Sequence, residues 1–243
     1  MAKTAAVVTG AASGIGRATV DELLADGYDL VAGMDVDPAI ETAAAGVDGF
    51  RPYVLDVADG DAVHAAVEEV EAEYDVTALV NNAAVSEYVW IGDLTPEDWH
   101  RVMDVNLTGQ YHLAHAVTPR MYERGHGAVV NVSSGAGQRG SASGGVHYSA
   151  SKAGVVGLTK GLAKQLSPEV RVNCVVPGLM DTPLTHDSGL WTPEGIDEFT
   201  DRVPLARLGD PEEVARAVRF LCSEDASYAT GSVLNVDGGA DLV

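Results

Sequence analysis

The stretch TGAASGIGRA, residues 9–18, decides the fold class of this chain. It follows a short apolar run, AAVVT (5–9), and leads into GRATVDELLADG (16–27), whose apolar residues recur at helical spacing. Its glycines, Gly10, Gly14 and Gly16, permit backbone angles and close approaches that a Cβ would block. A helix that starts at such a turn offers free N–H groups to a pyrophosphate. The stretch therefore predicts a dinucleotide site, although a merely tight turn would carry the same glycines.

The same alternation of a strand and a helix continues along the chain. Strand-like runs are AAVVT, DLVAGM (29–34), FRPYVLDV (50–57), VTALVN (76–81), GAVVNVS (127–133), VRVNCVV (170–176) and SVLNVDG (232–238). Helix-like segments lie between them at 16–27, 62–74, 96–125, 148–166 and 211–223. Several of the strands are apolar at consecutive positions, which is typical of parallel strands covered on both faces. The pattern predicts one α/β domain over residues 1–243, a doubly wound parallel sheet with helices on both faces.

Composition narrows the class of protein further. No uninterrupted stretch of about 18 apolar residues occurs, so no membrane helix is expected. The N-terminus lacks a charged leader followed by a cleavable apolar segment, so the mature protein is expected to start where the sequence does. Cys174 and Cys222 stand far apart, without the spacing of a disulfide framework or a zinc site. We therefore expect a cytoplasmic protein that holds no metal.

The charge balance is strongly negative. Thirty-six acidic residues against 15 basic ones give a formal charge of −21, which argues against a nucleic-acid partner. The acids are spread through helix-like segments and form no tail. Two interpretations stay open: an acidic surface that meets a basic partner, or a solvated surface adapted to high salt, where screening removes self-repulsion. The scarcity of lysine favours adaptation to high salt.

Asp35 bears on the choice of cofactor. It ends the second strand-like run, at about the separation where a carboxylate accepts hydrogen bonds from an adenosine ribose. A carboxylate there repels a 2′-phosphate, and the neighbouring Ser13, Val36 and Asp37 are not basic. Arg17 is basic but lies just inside the helix, where a surface role is expected. The sequence thus favours NAD over NADP.

Asp56 ends the third strand-like run and has two interpretations. Its carboxylate could receive the amino group of an adenine. It could equally be the N-cap of the helix that follows, because Asp is among the preferred N-cap residues. The sequence does not choose between them.

The segment HYSASKAG, residues 147–154, places a tyrosine and a lysine on one face of a helix. Tyr148 and Lys152 are four positions apart, and the chain has only four lysines. A free tyrosine titrates near about 10, and an ammonium nearby favours its phenolate form. Small neighbours leave room for a cofactor beside the same turn. An ordinary exposed Tyr–Lys pair is the alternative, and the glycine loop argues against it.

Five motifs in order make the chain resemble the short-chain dehydrogenase/reductase family. They are the glycine spacing, NNAA (81–84), the serine pair of NVSSGAG (131–137), YSASK (148–152), and PG (177–178) with the terminal VDGG (236–239). The resemblance covers essentially the whole chain. It implies a single Rossmann-type domain with a seven-stranded parallel sheet, a homotetramer, and hydride transfer between NAD(H) and a secondary alcohol or ketone.

The resemblance also implies the roles of individual residues. Ser134 would hydrogen-bond the substrate oxygen, and Tyr148 would exchange a proton with it. Lys152 would hold the nicotinamide ribose as well. Asn106 matches the asparagine that kinks a long helix and holds a water of the proton relay. The candidate cofactor-binding set comprises Gly10, Ser13, Gly14, Ile15, Gly16, Asp35, Asp56, Val57, Asn82, Tyr148, Lys152, Pro177, Gly178, Met180 and Thr182.

Two positions depart from the family pattern. Ala84 stands where the family usually has glycine, which adds a methyl group near the cofactor. Ser134 and Tyr148 are 14 positions apart, one more than the common spacing. Ser133 or Ser143 could therefore compete for the role of Ser134.

Substrate identity is weakly encoded. The irregular stretch 183–204 is expected to form a lid, and the expected pocket walls are 87–91, 135–147 and 185–191. Their mixture of Tyr88, Trp90 and Trp191 with His147, His186 and Asp187 suits a cyclic alcohol, a sugar or sugar acid, or a hydroxyacyl group. Basic residues form no cluster that would mark an anion clamp, and Arg139 is the one candidate for such a role. A 3-oxoacyl-thioester (acyl carrier protein) reductase and a non-catalytic NAD-sensing regulator are the alternatives.

Overall fold

A computed structural model describes residues 3–186 and 189–242, and within them seven parallel strands form one sheet in the order β3-β2-β1-β4-β5-β6-β7. The strands are β1 (Thr4–Thr9), β2 (Leu30–Asp35), β3 (Phe50–Val54), β4 (Asp75–Asn81), β5 (Gly127–Val132), β6 (Val170–Pro177) and β7 (Val233–Val236). All seven overlap the runs that their apolar residues predict, and none extends more than one residue beyond its run. The predicted doubly wound parallel sheet is confirmed.

Helices cover both faces of the sheet. They are α1 (Gly14–Ala25), α2 (Ala39–Ala44), α3 (Gly60–Glu71), α4 (Pro96–Met103), α5 (Gly109–Arg124), α6 (Gly135–Arg139), α7 (Gly145–Leu166), α8 (Pro183–His186), α9 (Pro193–Thr200) and α10 (Pro211–Cys222). The sequence did not predict α2, α6 and α8, because each is too short to repeat an apolar period. It did not predict α9 either, which lies in the stretch 183–204 that was expected to be an irregular lid. Within the two described ranges, no helix has the length and apolar character needed to cross a membrane.

The helix predicted over 96–125 is interrupted in its middle. A π-helical segment, Asp104–Thr108, separates α4 from α5. Such single-turn insertions widen a helix locally and are frequent at functional sites. This one brings Asn106 into the protein interior, where it is fully buried.

Alternate residues of each central strand enter two separate cores. In β1, Ala5 and Val7 pack in the core beneath α3 and α5, while Ala6 and Val8 pack in the core beneath α1 and α10. All four side chains are fully buried. Successive strand residues point to opposite faces, so burial on both faces requires apolar residues at consecutive positions. This explains why AVV in the sequence indicated a central strand.

The strand order reverses between β1 and β4. Chain connections leave these neighbouring strands towards opposite edges of the sheet, which opens a crevice beyond their carboxyl ends. Thr9 and Asn81 are the last residues of the two strands. The crevice therefore lies next to the glycine loop at residues 9–18 and the NNAA motif.

A buried polar network lies under this edge of the sheet. Asn81 Nδ2 donates to Asn131 Oδ1 at 2.9 Å, and Asn131 Nδ2 donates to Thr159 Oγ1 at 3.0 Å. All three side chains are fully buried, where a hydrogen bond lost without replacement costs about 1–3 kcal/mol. The network ties β4 and β5 to α7, so it fixes the helix that carries Tyr148 and Lys152.

Candidate active site

Helix α7 presents Tyr148 and Lys152 to one cavity, as their spacing predicts. Lys152 is 1% exposed, and its Nζ donates to the Val132 carbonyl at the end of β5 at 3.0 Å. The same Nζ lies 5.8 Å from the centroid of the Tyr148 ring. No carboxylate of the described chain pairs with this ammonium within 4.0 Å. A buried cation with one protein acceptor is therefore the central electrostatic feature of the site.

Burial shifts the pKa of both side chains. It lowers the pKa of the Lys152 ammonium from 10.5 to about 8, because a charged group is poorly solvated in the interior. It raises the pKa of the Tyr148 phenol above its ordinary value, and a hydrogen bond with the Ser134 hydroxyl acts in the opposite direction. The sequence led us to expect a phenol that ionises more easily. That expectation is wrong for the protein alone, since desolvation of the phenol outweighs its hydrogen bond with Ser134.

The two serines that follow β5 have different partners. Ser133 is 3% exposed, and its Oγ donates to the Lys152 carbonyl at 2.7 Å. Ser134 begins α6, where its Oγ accepts from Ala136 N at 3.2 Å, and it shares the cavity with Tyr148. Ser133 thus joins the strand to α7, while Ser134 stands beside the phenol. Both alternatives considered from sequence, Ser133 and Ser143, also line the cavity, and Ser143 Oγ lies 3.4 Å from Ser141 Oγ.

Asn106 is held behind the cavity and is not part of its lining. Its Oδ1 accepts from Val85 N at 2.8 Å, and its Nδ2 donates to Val85 O at 2.9 Å. Nδ2 also lies 3.2 Å from Ser151 Oγ on α7. Both ends of the amide are therefore bonded to the backbone of the loop after NNAA. The π-helical segment positions a side chain that clamps this loop against α7.

The backbone around the glycine loop leaves no room for a side chain at Gly16 and favours glycine at Gly10 and Gly14. A Cβ on Gly16 would lie 1.9 Å from Gly10 O, and Gly10 and Gly14 have φ angles of +68° and +52°. Asn82 Nδ2 donates to Thr9 O at 3.0 Å and to Gly10 O at 3.3 Å. Thr9 Oγ1 in turn accepts from the backbone N–H groups of Asn82 and Ala83, both at 3.0 Å. Thr9 was not among the predicted site residues, and its signal in the sequence is a hydroxyl that ends an otherwise apolar strand.

This loop fits the pyrophosphate of a dinucleotide. Ser13 is the N-cap of α1, yet its side chain makes no capping hydrogen bond. The first N–H groups of a helix need an acceptor, and an anion can supply it. Gly14 faces Thr182, because a Cβ added at this glycine would lie 3.3 Å from Thr182 Cγ2, so the loop adjoins the cavity. The residues present therefore accommodate the cofactor class that the sequence predicts.

Asp35 lies against the glycine loop at the end of β2. Its Oδ2 accepts from Ala12 N at 2.9 Å, and its Oδ1 accepts from Asp37 N at 3.0 Å. Arg17 is engaged elsewhere, since its Nη1 lies 2.6 Å from Asp21 and its guanidinium stacks 5.3 Å from the Phe50 ring centroid. The Arg17 side chain is 24% exposed, so it is half-buried against Phe50 and does not have the surface position that the sequence led us to expect.

Asp56 follows β3 but does not cap α3. Its Oδ1 accepts from Ala58 N at 2.9 Å, whereas Asp59 is the N-cap and accepts from Asp61 N and Ala62 N. The N-cap interpretation of Asp56 was therefore wrong. Val57 is 6% exposed, and its carbonyl lies 3.1 Å from His112 Nδ1. The backbone of this turn is held by α5.

The cavity has a volume of about 870 Å³ and unites much of the predicted set. Predicted residues that line it are Ile15, Asn82, Ser134, Tyr148, Lys152, Pro177, Gly178, Met180 and Thr182. Ala84 lines it too, where the family usually has glycine. The remaining candidates, Gly10, Ser13, Gly14, Gly16, Asp35, Asp56 and Val57, lie outside the lining. Gly14 and Ile15 join the residues outside the lining to those within it, because Ile15 lines the cavity and Gly14 faces the lining residue Thr182.

The predicted pocket walls are only partly correct. Tyr88 and Trp90 are 55% and 61% exposed and do not line the cavity. His147 is fully buried behind it, with Nε2 3.7 Å from Glu87 Oε1, because α7 turns that side chain away from Tyr148. The expected walls do supply part of the lining: Gly135, Ala136, Arg139, Gly140, Ser141, Ala142, Ser143, Gly144, Thr185, Leu190 and Trp191. The expected walls omit other lining residues, which include Ser86, Leu179, Leu184, Phe199, Arg202, Val203 and Ala240.

Helices α8 and α9 supply much of this apolar lining. Trp191 packs edge-on against Phe199, with ring centroids 5.6 Å apart. His186 points away and pairs with Asp181 at 2.7 Å. Asp187, also expected in the wall, lies outside the described residues. The segment 183–204 thus contributes residues to the cavity, and its role as a lid stays a prediction.

Replacing Lys152 with methionine is expected to stabilise the fold. Below pH 8 the buried ammonium costs about 3 kcal/mol by its pKa shift, and the lost bond to Val132 returns about 1 kcal/mol of that cost. The net gain of about 2 kcal/mol should raise Tm at pH 7 by roughly 4–8 °C in a chain of this size.

The gain should shrink as pH rises from about 8 to 10.5, because the folded protein then holds the lysine neutral while the unfolded chain still binds its proton. Thermal unfolding across this pH range measures it. Lys160→Met, an exposed site on the same helix, should leave Tm unchanged. Equal shifts in both variants would contradict the buried charge.

Comparison with known proteins agrees with this geometry. Residues 10–241 match the family model described as Enoyl-(Acyl carrier protein) reductase. The chain is 40% identical over 240 residues to the 3-oxoacyl-[acyl-carrier-protein] reductase FabG of Thermotoga maritima, covering 96% of each chain.

Two solved structures are also similar over the whole chain. One is ligand-free aldohexose dehydrogenase of Thermoplasma acidophilum, with TM-score 0.90 and 33% identity, covering 100% of this chain and 95% of the other. The other is a putative NAD(P)-dependent gluconate 5-dehydrogenase of Beutenbergia cavernae with bound NADP, with TM-score 0.92 and 33% identity, covering 100% and 98%. With its glycine loop, Ser134, Tyr148 and Lys152 gathered at one edge of a seven-stranded parallel sheet, the chain belongs to the short-chain dehydrogenase/reductase family.

Proposed function

We propose that the protein transfers a hydride between NAD(H) and a secondary alcohol or ketone. The observation that carries this proposal is the cavity shared by Ser134, Tyr148 and Lys152 beside a loop that fits a pyrophosphate. Its apolar side chains and hydroxyl groups suit a medium-sized molecule such as a cyclic alcohol, a sugar or sugar acid, or a hydroxyacyl group. Membership of an oxidoreductase family supports the reaction class.

The chain's own residues handle the proton. A bound nicotinamide dinucleotide supplies the acceptor or donor of the hydride. In ketone reduction the Tyr148 O–H gives its proton to the carbonyl oxygen, and in alcohol oxidation the Tyr148 phenolate takes the hydroxyl proton. Ser134 donates a hydrogen bond to the substrate oxygen as charge develops there. The raised pKa of Tyr148 keeps the phenol protonated at neutral pH, which is the form that reduction requires.

Lys152 and Asn106 support this proton transfer from behind. The Lys152 ammonium stabilises the Tyr148 phenolate once it forms, and it has donors left for ribose hydroxyls after its bond to Val132. Asn106 holds the loop at Val85, which keeps Ala84 and Ser86 in the cavity wall. Since both amide groups of Asn106 are bonded to Val85, its side chain acts as a positioning group for the loop.

We assign the reductase of acyl carrier protein thioesters as the second candidate. The 40% identity to a protein of that name supports it. The Asp35 carboxylate beside the glycine loop and the net charge of −21 disfavour both a phosphorylated cofactor and an acidic carrier protein. A non-catalytic NAD sensor is less well supported, because Ser134, Tyr148 and Lys152 all meet in the cavity.

The reaction is tested by following absorbance at the NADH band. Purified protein should turn over at least one member of a panel of sugars, cyclic alcohols, hydroxy acids and acyl thioesters, assayed at low and high salt. Tyr148→Phe should lower kcat by about 10²–10⁴-fold, because it removes the group that exchanges the proton. The exposed Tyr122→Phe should retain full activity. Cofactor binding without turnover on any substrate would favour the sensor, and undiminished turnover in Tyr148→Phe would sink the mechanism.

Alanine variants of Ser134 and Ser133 should differ in kcat in the same assay. Ser134→Ala should lower kcat by about 10²-fold, the usual loss when a donor to a developing oxyanion is removed. Ser133→Ala should leave kcat largely intact and lower Tm, because its Oγ bonds the buried carbonyl of Lys152. The reverse ranking of the two variants in kcat would move the role to Ser133.

The choice of cofactor depends on Asp35. With NADPH, the Asp35→Ala variant should gain at least about 10-fold in kcat/KM, because a carboxylate that repels a 2′-phosphate is gone. With NADH, kcat/KM should fall, since ribose hydroxyls lose their acceptor. Asp37→Ala, the matched change two residues later, should shift the ratio much less. A wild type that prefers NADPH would contradict the assignment to NAD.

A further inference from the structure

The cavity has a charge opposite to that of the protein. Three cationic residues line it, Arg139, Lys152 and Arg202, and its lining among the described residues contains no Asp or Glu. The whole chain has 36 acidic residues against 15 basic ones. If charged residues lined the cavity in the same proportions as in the whole chain, most of them would be acidic. This inversion indicates that the cavity accommodates negative charge.

Among the described residues, Arg202, like Lys152, is a cation of the lining that has no partner of opposite charge. It lies directly after α9, and its Nε donates to the Glu198 carbonyl at 3.0 Å. Within 4.0 Å of its guanidinium there is no carboxylate from the described residues. By contrast, Arg207, five residues later, makes a two-pronged pair with Glu213 at 2.7 Å. Arg202 is exposed and lines the cavity, and no carboxylate of the described residues occupies its Nη groups.

Arg139 enters the same cavity from the end of α6. Its Nη1 donates to the Ala240 carbonyl, and its Nε lies 3.7 Å from Asp241 Oδ1. These contacts fix the guanidinium to the C-terminal turn and neutralise part of its charge. Asp241 itself does not line the cavity. Arg139 thus provides a hydrogen-bond donor of fixed orientation. Arg202 provides a positive charge that no nearby carboxylate of the described residues neutralises.

The C-terminal turn connects the two arginine-bearing segments. Ala240, which Arg139 contacts, lines the cavity together with Val203. Leu205 N donates to Gly238 O at 3.1 Å, and a Cβ added at Gly238 would lie 2.9 Å from Val203 Cγ1. The ends of α6 and α9 are therefore both fastened to residues 238–240. Neither segment belongs to the glycine loop that fits the pyrophosphate.

We propose that Arg202, with Arg139, binds an anionic group on the substrate, so that the protein acts on a hydroxy acid or a phosphorylated alcohol. This inference rests on the proposed function and adds a substrate class to it. An arginine fork binds carboxylate or phosphate oxygens through paired N–H donors, which fixes orientation as well as charge. The apolar side chains of Trp191 and Phe199 would cover the remainder of the molecule.

The experiment compares charged substrates with neutral analogues of the same skeleton. One arm pairs secondary hydroxy acids of about three to six carbons with their primary amides, a size range suited to a cavity that must also hold a cofactor. A second arm pairs sugar phosphates with the parent sugars. Wild type, Arg202→Gln, Arg202→Lys, Arg139→Gln and the control Arg216→Gln on the exposed face of α10 are assayed with NADH or NAD.

Arg202→Gln should lower kcat/KM for the anionic substrate by about 10–100-fold, mainly through KM, since a charge-assisted pair is lost. It should leave the neutral analogue and the KM for the cofactor unchanged. Arg202→Lys should recover part of the loss, Arg139→Gln should show a smaller loss, and Arg216→Gln should show none. Preference for the acid arm or for the phosphate arm identifies which anion is bound.

Equal kcat/KM for anionic and neutral substrates, or an equal loss for both in Arg202→Gln, would overturn the inference and leave the proposed redox function standing. A loss confined to the KM for the cofactor would also overturn it, because the arginine would then serve the cofactor phosphates. Absence of turnover with every substrate in both arms would reject the redox function and the inference together.

Discussion

One buried cation, the ammonium of Lys152, organises the site. Helix α7 carries it into the interior, where the carbonyl of Val132 at the end of β5 accepts its hydrogen bond at 3.0 Å. Ser133 bonds the backbone of the same lysine, so strand and helix are joined at both its side chain and its carbonyl. Holding an ammonium there costs stability, as its lowered pKa records. In the mechanism proposed for this protein, that cost is retained because the ammonium would stabilise the neighbouring phenolate of Tyr148.

The nucleotide side of the site depends on close backbone packing instead of charge. Thr9 and Asn82 join the ends of β1 and β4 by hydrogen bonds of 3.0 Å, and the same Asn82 amide reaches the Gly10 carbonyl. A side chain at Gly16 would occupy the position of that carbonyl. The loop can therefore turn sharply into α1 and leave the first N–H groups of the helix available. Asn82, a member of the candidate cofactor-binding set, is in this structure a clamp on the loop.

The exterior of this protein and the lining of its cavity carry charges of opposite sign. The exterior carries the excess of acids that gives the formal charge of −21, while the lining of the cavity has Arg139, Lys152 and Arg202 without an acid among its described residues. Long-range repulsion of anions by the exterior is screened beyond about 8–10 Å at ordinary salt concentrations. In the proposed complex, Arg139 and Arg202, two exposed residues of the lining, would contact an anionic group directly, at a distance shorter than this screening length. A protein with a negative exterior would in this way bind a negative ligand.

The sequence by itself determined what depends on local periodicity. Consecutive apolar residues such as Val7 and Val8 indicated central parallel strands, GxxxGxG indicated the turn into α1, and the four-residue spacing of Tyr148 and Lys152 placed both on one face of α7. These properties follow from strand and helix geometry alone.

Tertiary packing decided what depends on residues far apart in the chain. Asn106 clamps Val85, Arg202 enters the cavity, and His147 turns away from it, although it precedes Tyr148. The direction of the Tyr148 pKa was also decided there, because desolvation depends on which segments cover the phenol. The local sequence shows which groups can react. Only the packing of distant segments decides how exposed those groups are to solvent, which partners they contact and which charge state they prefer.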